Sequence, residues 1–180
     1  MRIRNFKKFL LQFPHRFMEG VQNENVSGNY ITQSQNVQES FDITECRDCK
    51  YCHGLQAVND AYDVSQYGCT GTNELLYEGE GLGHGVSNVR SSKLVWSGSH
   101  DVDYSIECIA SHHLFGCVGL RHDEYCILNK KYSKEEYEKI IPKLIEKVKE
   151  EGEWGEFFPN KLCPFGYNES VSYEYQPLSR

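Results

Sequence analysis

The sequence predicts a mainly β chain wound into a single-stranded parallel β-solenoid, right-handed by preference, with an amphipathic helix capping its C-terminal end. Three observations carry this. First, an aromatic, any residue and a branched aliphatic recur at Phe41-Asp42-Ile43, Tyr62-Asp63-Val64, Tyr104-Ser105-Ile106 and Tyr125-Cys126-Ile127. The gaps are 21, 42 and 21 residues, with silence only at Gly83-His84-Gly85. Self-similarity at such a period marks stacked units that bury their apolar faces on one another. Second, a small or apolar residue returns at every third position: Ile31, Ser34, Val37, Ser40, Ile43, Cys46, Cys49, Cys52, Leu55 and Val58, then Val102, Ser105, Cys108, Ser111, Leu114, Cys117 and Leu120. A helix repeats at 3.6 and a flat strand at 2. A period of three fits very short strands joined by corners around a narrow interior. Third, one segment near the C-terminus has a clear helical pattern. A 21-residue coil would stack Ile43, Val64, Ile106 and Ile127 as an inward ladder at about 4.8 Å spacing.

Four segments follow in order. Residues 1–24 form an N-terminal arm, with Phe6, Phe9, Leu10, Phe13 and Phe17 at helical spacing among Arg2, Arg4, Lys7 and Lys8, interrupted by Pro14. A stripe of this kind packs on its own domain, here over the open first coil; the alternative is a membrane surface. Residues 25–131 form the repeat body. Within it the glycine-rich run Tyr77–Gly85 reads as an excursion or corner rather than a rung. Gly79-x-Gly81 lacks the strand-then-helix setting and the Lys-Ser/Thr of a phosphate loop.

Residues 132–152 form the helix. Ser133 and Glu136 make a capping box, in which each side chain satisfies the other residue's amide. Tyr137, Ile140, Ile141, Leu144, Ile145 and Val148 make one apolar stripe, Pro142 bends the helix and Gly152 ends it. Placed straight after the last beat, the stripe should bury Tyr137, Ile141, Leu144 and Val148 on the rung of Tyr125 and Ile127. It would thereby cover the open sheet edge. Residues 153–180 form a tail rich in aromatics and turns.

Composition bounds the function. The 180 residues suit one domain, 39% of them are hydrophobic, and the net charge is −7. Residues 1–20 carry +4, whereas residues 21–131 hold 15 acidic and 7 basic side chains. An acidic body argues against nucleic acid, whose phosphates need clustered Lys and Arg. The N-terminal apolar run is too short for a signal peptide, and no stretch approaches a membrane span. The expectation is a soluble cytoplasmic chain with reduced thiols rather than disulfides. The sequons Asn25-Val26-Ser27 and Asn168-Glu169-Ser170 matter only in a glycosylating pathway.

Cys46-x-x-Cys49-x-x-Cys52-His53 is the sharpest chemical candidate, since thiolates at this spacing hold zinc or begin an iron–sulfur site. A ferredoxin run would need Cys at position 56, which is Gln56, and a zinc ribbon would need a second knuckle. The three cysteines also fall on the three-residue rhythm, where a buried thiol serves as a small hydrophobe. They are expected buried and metal-free. A nucleophilic Cys would need a base, and His84, His100, His112, His113 and His122 are available without a distinctive spacing. On a 21-residue coil Asp101 and His122 are stacked neighbours. Asp42 and Asp63 would likewise stack about 5 Å apart, a carboxylate separation used in glycoside hydrolysis, although Asp at a corner commonly bonds its own backbone. Asp101 and Asp103 also lie close to a beat.

The runs Phe115-Gly116-Cys117-Val118-Gly119-Leu120-Arg121, Glu124 to Tyr137, Gly152-Glu153-Trp154-Gly155-Glu156-Phe157-Phe158-Pro159 and Pro164-Phe165-Gly166-Tyr167-Asn168-Glu169 resemble zinc-ribbon-containing proteins of environmental bacteria. Some of these carry a CaiB/BaiF CoA-transferase-like label, a pattern that nothing in this chain shares. Those proteins are longer, with paired Cys-x-x-Cys knuckles on either side. The resemblance implies that this chain corresponds to their central Cys-rich repeat region. It does not extend their zinc to Cys46, Cys49 or Cys52. The expected function is a non-catalytic solenoid scaffold or protein-interaction module. The alternatives are a carbohydrate-active enzyme using surface carboxylates and a metal-binding module through Cys46, Cys49 and Cys52. No catalytic, cofactor or metal residue is assigned, no cofactor is expected, and the partner is a protein rather than nucleic acid or a small molecule.

Overall fold

The computed structural model describes residues 3–14, 16–65 and 73–156. In it 50% of the chain is strand and 15% helix, and the strands form a parallel β-solenoid of about 8 turns. The building unit is three residues long. Each inward residue from Ile31 to Val64 follows one in left-handed backbone. Its φ lies between 48° and 58° at Tyr30, Gln33, Asn36, Glu39, Asp42, Glu45, Asp48, Tyr51, Ala57, Asp60 and Asp63, and is 67° at Gly54. Such a backbone costs a non-glycine residue about 1–2 kcal/mol. Asn and Asp tolerate it best, which accounts for their frequency at these corners.

Four such units close one coil. Val37 pairs with Cys49 and Cys49 with Ala61, a spacing of 12 residues each time. The strands run β1 (Gly20–Val21), β2 (Glu24–Thr32), β3 (Gln35–Thr44), β4 (Arg47–Lys50), β5 (His53–Gln56), β6 (Val58–Ser65) and β7 (Asn73–Glu80). They continue as β8 (Ser87–Lys93), β9 (His100–Asp103), β10 (His112–Phe115), β11 (Glu124–Ile127) and β12 (Lys130–Lys131). All pairings are parallel except that of β11 with β12.

The interior is four columns of side chains, one per corner. One column holds Val37, Cys49, Ala61, Leu76, Val89, Val102, Leu114 and Cys126, all buried. Fully burying a Val, Leu or Ile stabilises the fold by about 1.5–3 kcal/mol, but a column this thin holds few of them. Serines and cysteines contribute in another way. Ser105 Oγ donates to the Asp103 carbonyl at 2.8 Å and accepts the Cys117 amide, one coil on, at 3.0 Å. Ser34, Ser40, Ser92 and Ser111 repeat this pattern with the amides of Cys46, Cys52, Ser105 and Asp123. An inward hydroxyl therefore satisfies a buried amide that a corner would otherwise leave without a partner.

The three-residue rhythm holds as expected: all ten residues from Ile31 to Val58 on it are buried. The 21-residue coil does not hold. Ile43 stacks on Ile31 and Leu55, Val64 on Gly79, and Ile106 on Lys93 and Val118. Twenty-one is a multiple of three but not of twelve, so the beat keeps Ile43 and Val64 pointing inward without stacking them.

The glycine-rich run is also partly a rung. Tyr77–Glu80 lies within β7, and only Gly83-His84-Gly85 is a corner, widened by one residue between the buried Leu82 and Val86. The glycines there make room: a Cβ on Gly79 would lie 2.4 Å from Leu82 Cδ1, and one on Gly83 2.4 Å from Trp96 Cε3.

Pairing begins at Gly20, inside the segment read as the arm. Helix α1 (Ile3–Leu10) does not cover the first coil, because Phe6, Phe9, Leu10, Phe13 and Phe17 are exposed. Helix α2 (Lys134–Glu150) has its capping box and buries Tyr137. It lies along the flank, where its stripe joins Tyr104, Phe115, Tyr125 and Ile127 from three successive coils. The terminal edge is finished by antiparallel β12, whose two lysines discourage further pairing. Cys69, Cys163 and most of the tail lie outside the described residues.

Candidate functional site

Each outward residue repeats its position one coil later, so chemistry on the surface is arranged in columns. The sequence candidates separate accordingly. Cys46, Cys49 and Cys52 occupy three successive corners of one coil and point inward. Their thiols donate to the Thr44, Arg47 and Lys50 carbonyls, and those of Cys49 and Cys52 also reach the Val58 and Ala61 carbonyls one coil on, at 3.7 and 3.6 Å. They are free and hydrogen-bonded to one another in sequence. The hydrogen bond to Cys46 and burial push the Cys49 thiol up to about 12, and the bond to Cys49 with burial also raises Cys52. The Cys49 side chain lowers Cys46 by more than burial raises it.

The carboxylates do not form the expected pair. Phe41 pairs with His53 and Lys50 with Tyr62, so Asp42 neighbours Gly54 while Asp63 neighbours Tyr51. Both are left-handed corner residues, with φ of 58° and 55°. Asp103 is instead buried on the outer flank, level with Arg90 and Phe115 and 8% exposed, and takes a two-pronged contact from Arg90 at 2.6 and 2.9 Å. Burial raises its carboxyl more than Arg90 lowers it. Asp101 does not stack with His122; the 12-residue coil places it beside His113.

That register assembles a histidine face. His100, His112 and Glu124 form one column, and Asn88, Asp101, His113 and Tyr125 the adjacent corner. His100 stacks on His112 at 4.7 Å and His113 on Tyr125 at 4.8 Å. Asp101 Oδ2 lies 2.8 Å from His100 Nδ1 and 3.5 Å from His113 Nδ1, while Asn88 donates to its other oxygen. Burial works to raise the Asp101 carboxyl, and the hydrogen bonds from His100 and Asn88 with the charge of His113 outweigh it, leaving it lowered. Burial lowers His113, and Asp101 only partly offsets this.

A tyrosine stripe occupies the next face. Lys50, Tyr62, Tyr77 and Arg90 stand in register, with Tyr51 at the adjoining corner. Tyr51 meets Tyr62 edge-on at 5.4 Å, and Tyr62 stacks on Tyr77 at 5.8 Å, 18° from parallel. Tyr51 and Tyr62 are exposed. Asp48 and Asp60 line the corner on one side; Glu39, Asp63 and Glu78 line the corner on the other. Burial raises the Tyr77 hydroxyl, and Glu78, Tyr62, Glu156 and Asp63 raise it further. Toward the C-terminus the stripe runs into a pocket of about 310 Å³ lined by Tyr77, Arg90, Ser91, Tyr104, Trp154 and Gly155. Neither the stripe nor the histidine face was apparent in the sequence, because both depend on where each coil closes, after 12 residues from Lys50 to Tyr62 and from His100 to His112 but after 15 from Tyr62 to Tyr77. The repeat of His100-Asp101 in His112-His113, 12 residues later, was the available signal.

No family model and no curated protein matches the chain. Among the described residues no helix is long and apolar enough to cross a membrane.

Proposed function

We propose that this chain is a non-catalytic β-solenoid scaffold that binds a protein partner through a basic segment laid along the tyrosine stripe. The observation that supports this is the run of exposed Tyr51 and Tyr62 onto half-buried Tyr77, flanked by the carboxylates of the two adjoining corners. Aromatic faces and acids together suit Lys and Arg, each cation gaining about 0.5–1 kcal/mol from an exposed ring. Lys50 already sits 4.7 Å from the Tyr51 ring and Arg90 5.3 Å from Trp154, so cations dock on these rings within the molecule itself. Extended faces of repeat proteins commonly bind in this additive way. On the resemblance to zinc-ribbon proteins, such a scaffold would form the repeat portion of a longer chain. The carbohydrate-active reading loses its Asp42–Asp63 pair to the register, and the Cys46–Cys49–Cys52 reading has its thiols turned into the core.

Calorimetric titration with an arginine-rich peptide, and with an acidic peptide as control, tests the proposal. The basic peptide should bind, weaken as salt is raised, and weaken about fivefold, or about 1 kcal/mol, with Tyr62→Ala. Absence of binding at low salt, or equal affinity for Tyr62→Ala, would remove it.

A further inference from the structure

We propose that His100, Asp101 and His113 form a site for one divalent first-row transition ion on the outer face of β9 and β10. This does not depend on the partner reading above. Among the described residues these are the only three or more His, Cys, Asp or Glu side chains whose ligand atoms all lie within 4.8 Å of one another. Two imidazole nitrogens and one carboxylate oxygen are a donor set of intermediate softness, suited to zinc and its neighbours rather than to calcium or magnesium.

The geometry is close to what an ion needs. Bond lengths of about 2.0–2.2 Å to N and O put tetrahedral ligand atoms roughly 3.3 Å apart. Asp101 Oδ2 lies 2.8 Å from His100 Nδ1 and 3.5 Å from His113 Nδ1, which brackets that separation. On binding, the ion takes the lone pairs of both Nδ1 atoms and of Oδ2. The proton shared between His100 Nδ1 and Asp101 moves to the other ring nitrogen or to solvent.

The surroundings hold the three ligands in place. Asn88 Nδ2 donates to Asp101 Oδ1, which leaves Oδ2 turned toward both rings. His112 stacks on His100, and Tyr125 stacks on His113. His112 Nε2 is itself engaged by Glu124 Oε2 at 3.0 Å. Ligand orientation fixed by outer neighbours is a usual property of metal sites, and here the parallel ladder fixes the backbone too. Three protein ligands leave a fourth position open to water, which suits an exchangeable ion on a surface rather than one locked into the fold.

The test is equilibrium dialysis of the full chain against Zn²⁺, followed by absorption spectroscopy of the Co²⁺ form. The wild type should take up one equivalent. Asp101→Asn, which keeps a residue suited to the left-handed corner, and His113→Ala should each weaken uptake at least about tenfold. His53→Ala and His122→Ala should leave it unchanged. The Co²⁺ form should show visible ligand-field bands without the near-ultraviolet thiolate band. No stoichiometric uptake, uptake with the thiolate band, or uptake indifferent to Asp101→Asn and His113→Ala would each overturn the proposal. Circular dichroism of each variant establishes that the fold is retained.

Discussion

Replacing Ser105 by Ala tests whether inward hydroxyls hold the coils together or merely fill space. Ser105 Oγ accepts the Cys117 amide at 3.0 Å, and both groups lie in the buried interior. The Asp103 carbonyl, which the hydroxyl also reaches, keeps its bond from the Gly116 amide. The substitution therefore orphans one group, the Cys117 N–H, at a cost of about 1–3 kcal/mol. In a chain of this length each kcal/mol lowers Tm by about 2–4 °C, so a drop of several degrees is expected in calorimetry. Ser105→Cys is the informative control, because thiols already occupy the same column at Cys52 and Cys117. It should recover most of the loss. If Ser105→Ala costs less than about 0.5 kcal/mol, the level of an ordinary surface change, or if Ser105→Cys is as damaging, the amide-satisfaction argument fails.

Arg90→Met leaves Asp103 buried without its partner and should cost about 3 kcal/mol at pH 7. With the guanidinium gone burial and the charge of Asp101 both raise the carboxyl, so its folded-state pKa stands above the unfolded one. The penalty is then full above that raised pKa, shrinks as pH falls from it toward the unfolded value of about 3.9, and vanishes below that, where both states are protonated. Urea titrations of both proteins at pH 7 and pH 4.5 should show the difference shrinking; a constant difference contradicts the assignment. Gly83→Ala should destabilise by about 1–3 kcal/mol through overpacking, because the new methyl meets the Trp96 ring. Pairing it with Trp96→Leu should relieve the cost, and a double variant no better than the single one would show that backbone rather than ring space is limiting.

The sequence disclosed the inside and outside of this fold far better than its circumference. Which residues face inward is a property of each three-residue unit, and the alternation of small or apolar side chains with polar ones records it directly. Every corner is built alike, so nothing local marks where a coil closes. Closure is decided by which columns pack, as when Ile43 settles between Ile31 and Leu55. The aromatic beat misled because it shares the factor of three with the true coil. Once the circumference is wrong, every surface neighbour is wrong with it: a 21-residue period pairs Asp101 with His122 and Asp42 with Asp63, whereas the coil sets Asp101 beside His113 and Asp42 beside Gly54. The helix was legible because its signals are local: Ser133 and Glu136 cap it wherever it docks. Its docking surface on the flank was not, since Tyr104 and Phe115 meet it only after winding.

The three-residue unit gives the chain something like a reading frame. Removing one or two residues from a regular three-residue corner would turn every later interior side chain out to solvent unless a wide corner took up the change. Removing three would keep the interior inside but rotate all later surface columns by one corner, dispersing the tyrosines and histidines while leaving the core chemistry intact. Removing twelve would restore both. The wide corners at Gly83–Gly85 and Trp96–Gly98 each absorb a single extra residue, between Leu82 and Val86 and between Val95 and Ser99, without losing that frame. A solenoid of this kind can therefore lengthen, shorten or reshuffle its outer faces by simple changes in count, and only changes in whole coils preserve what it displays.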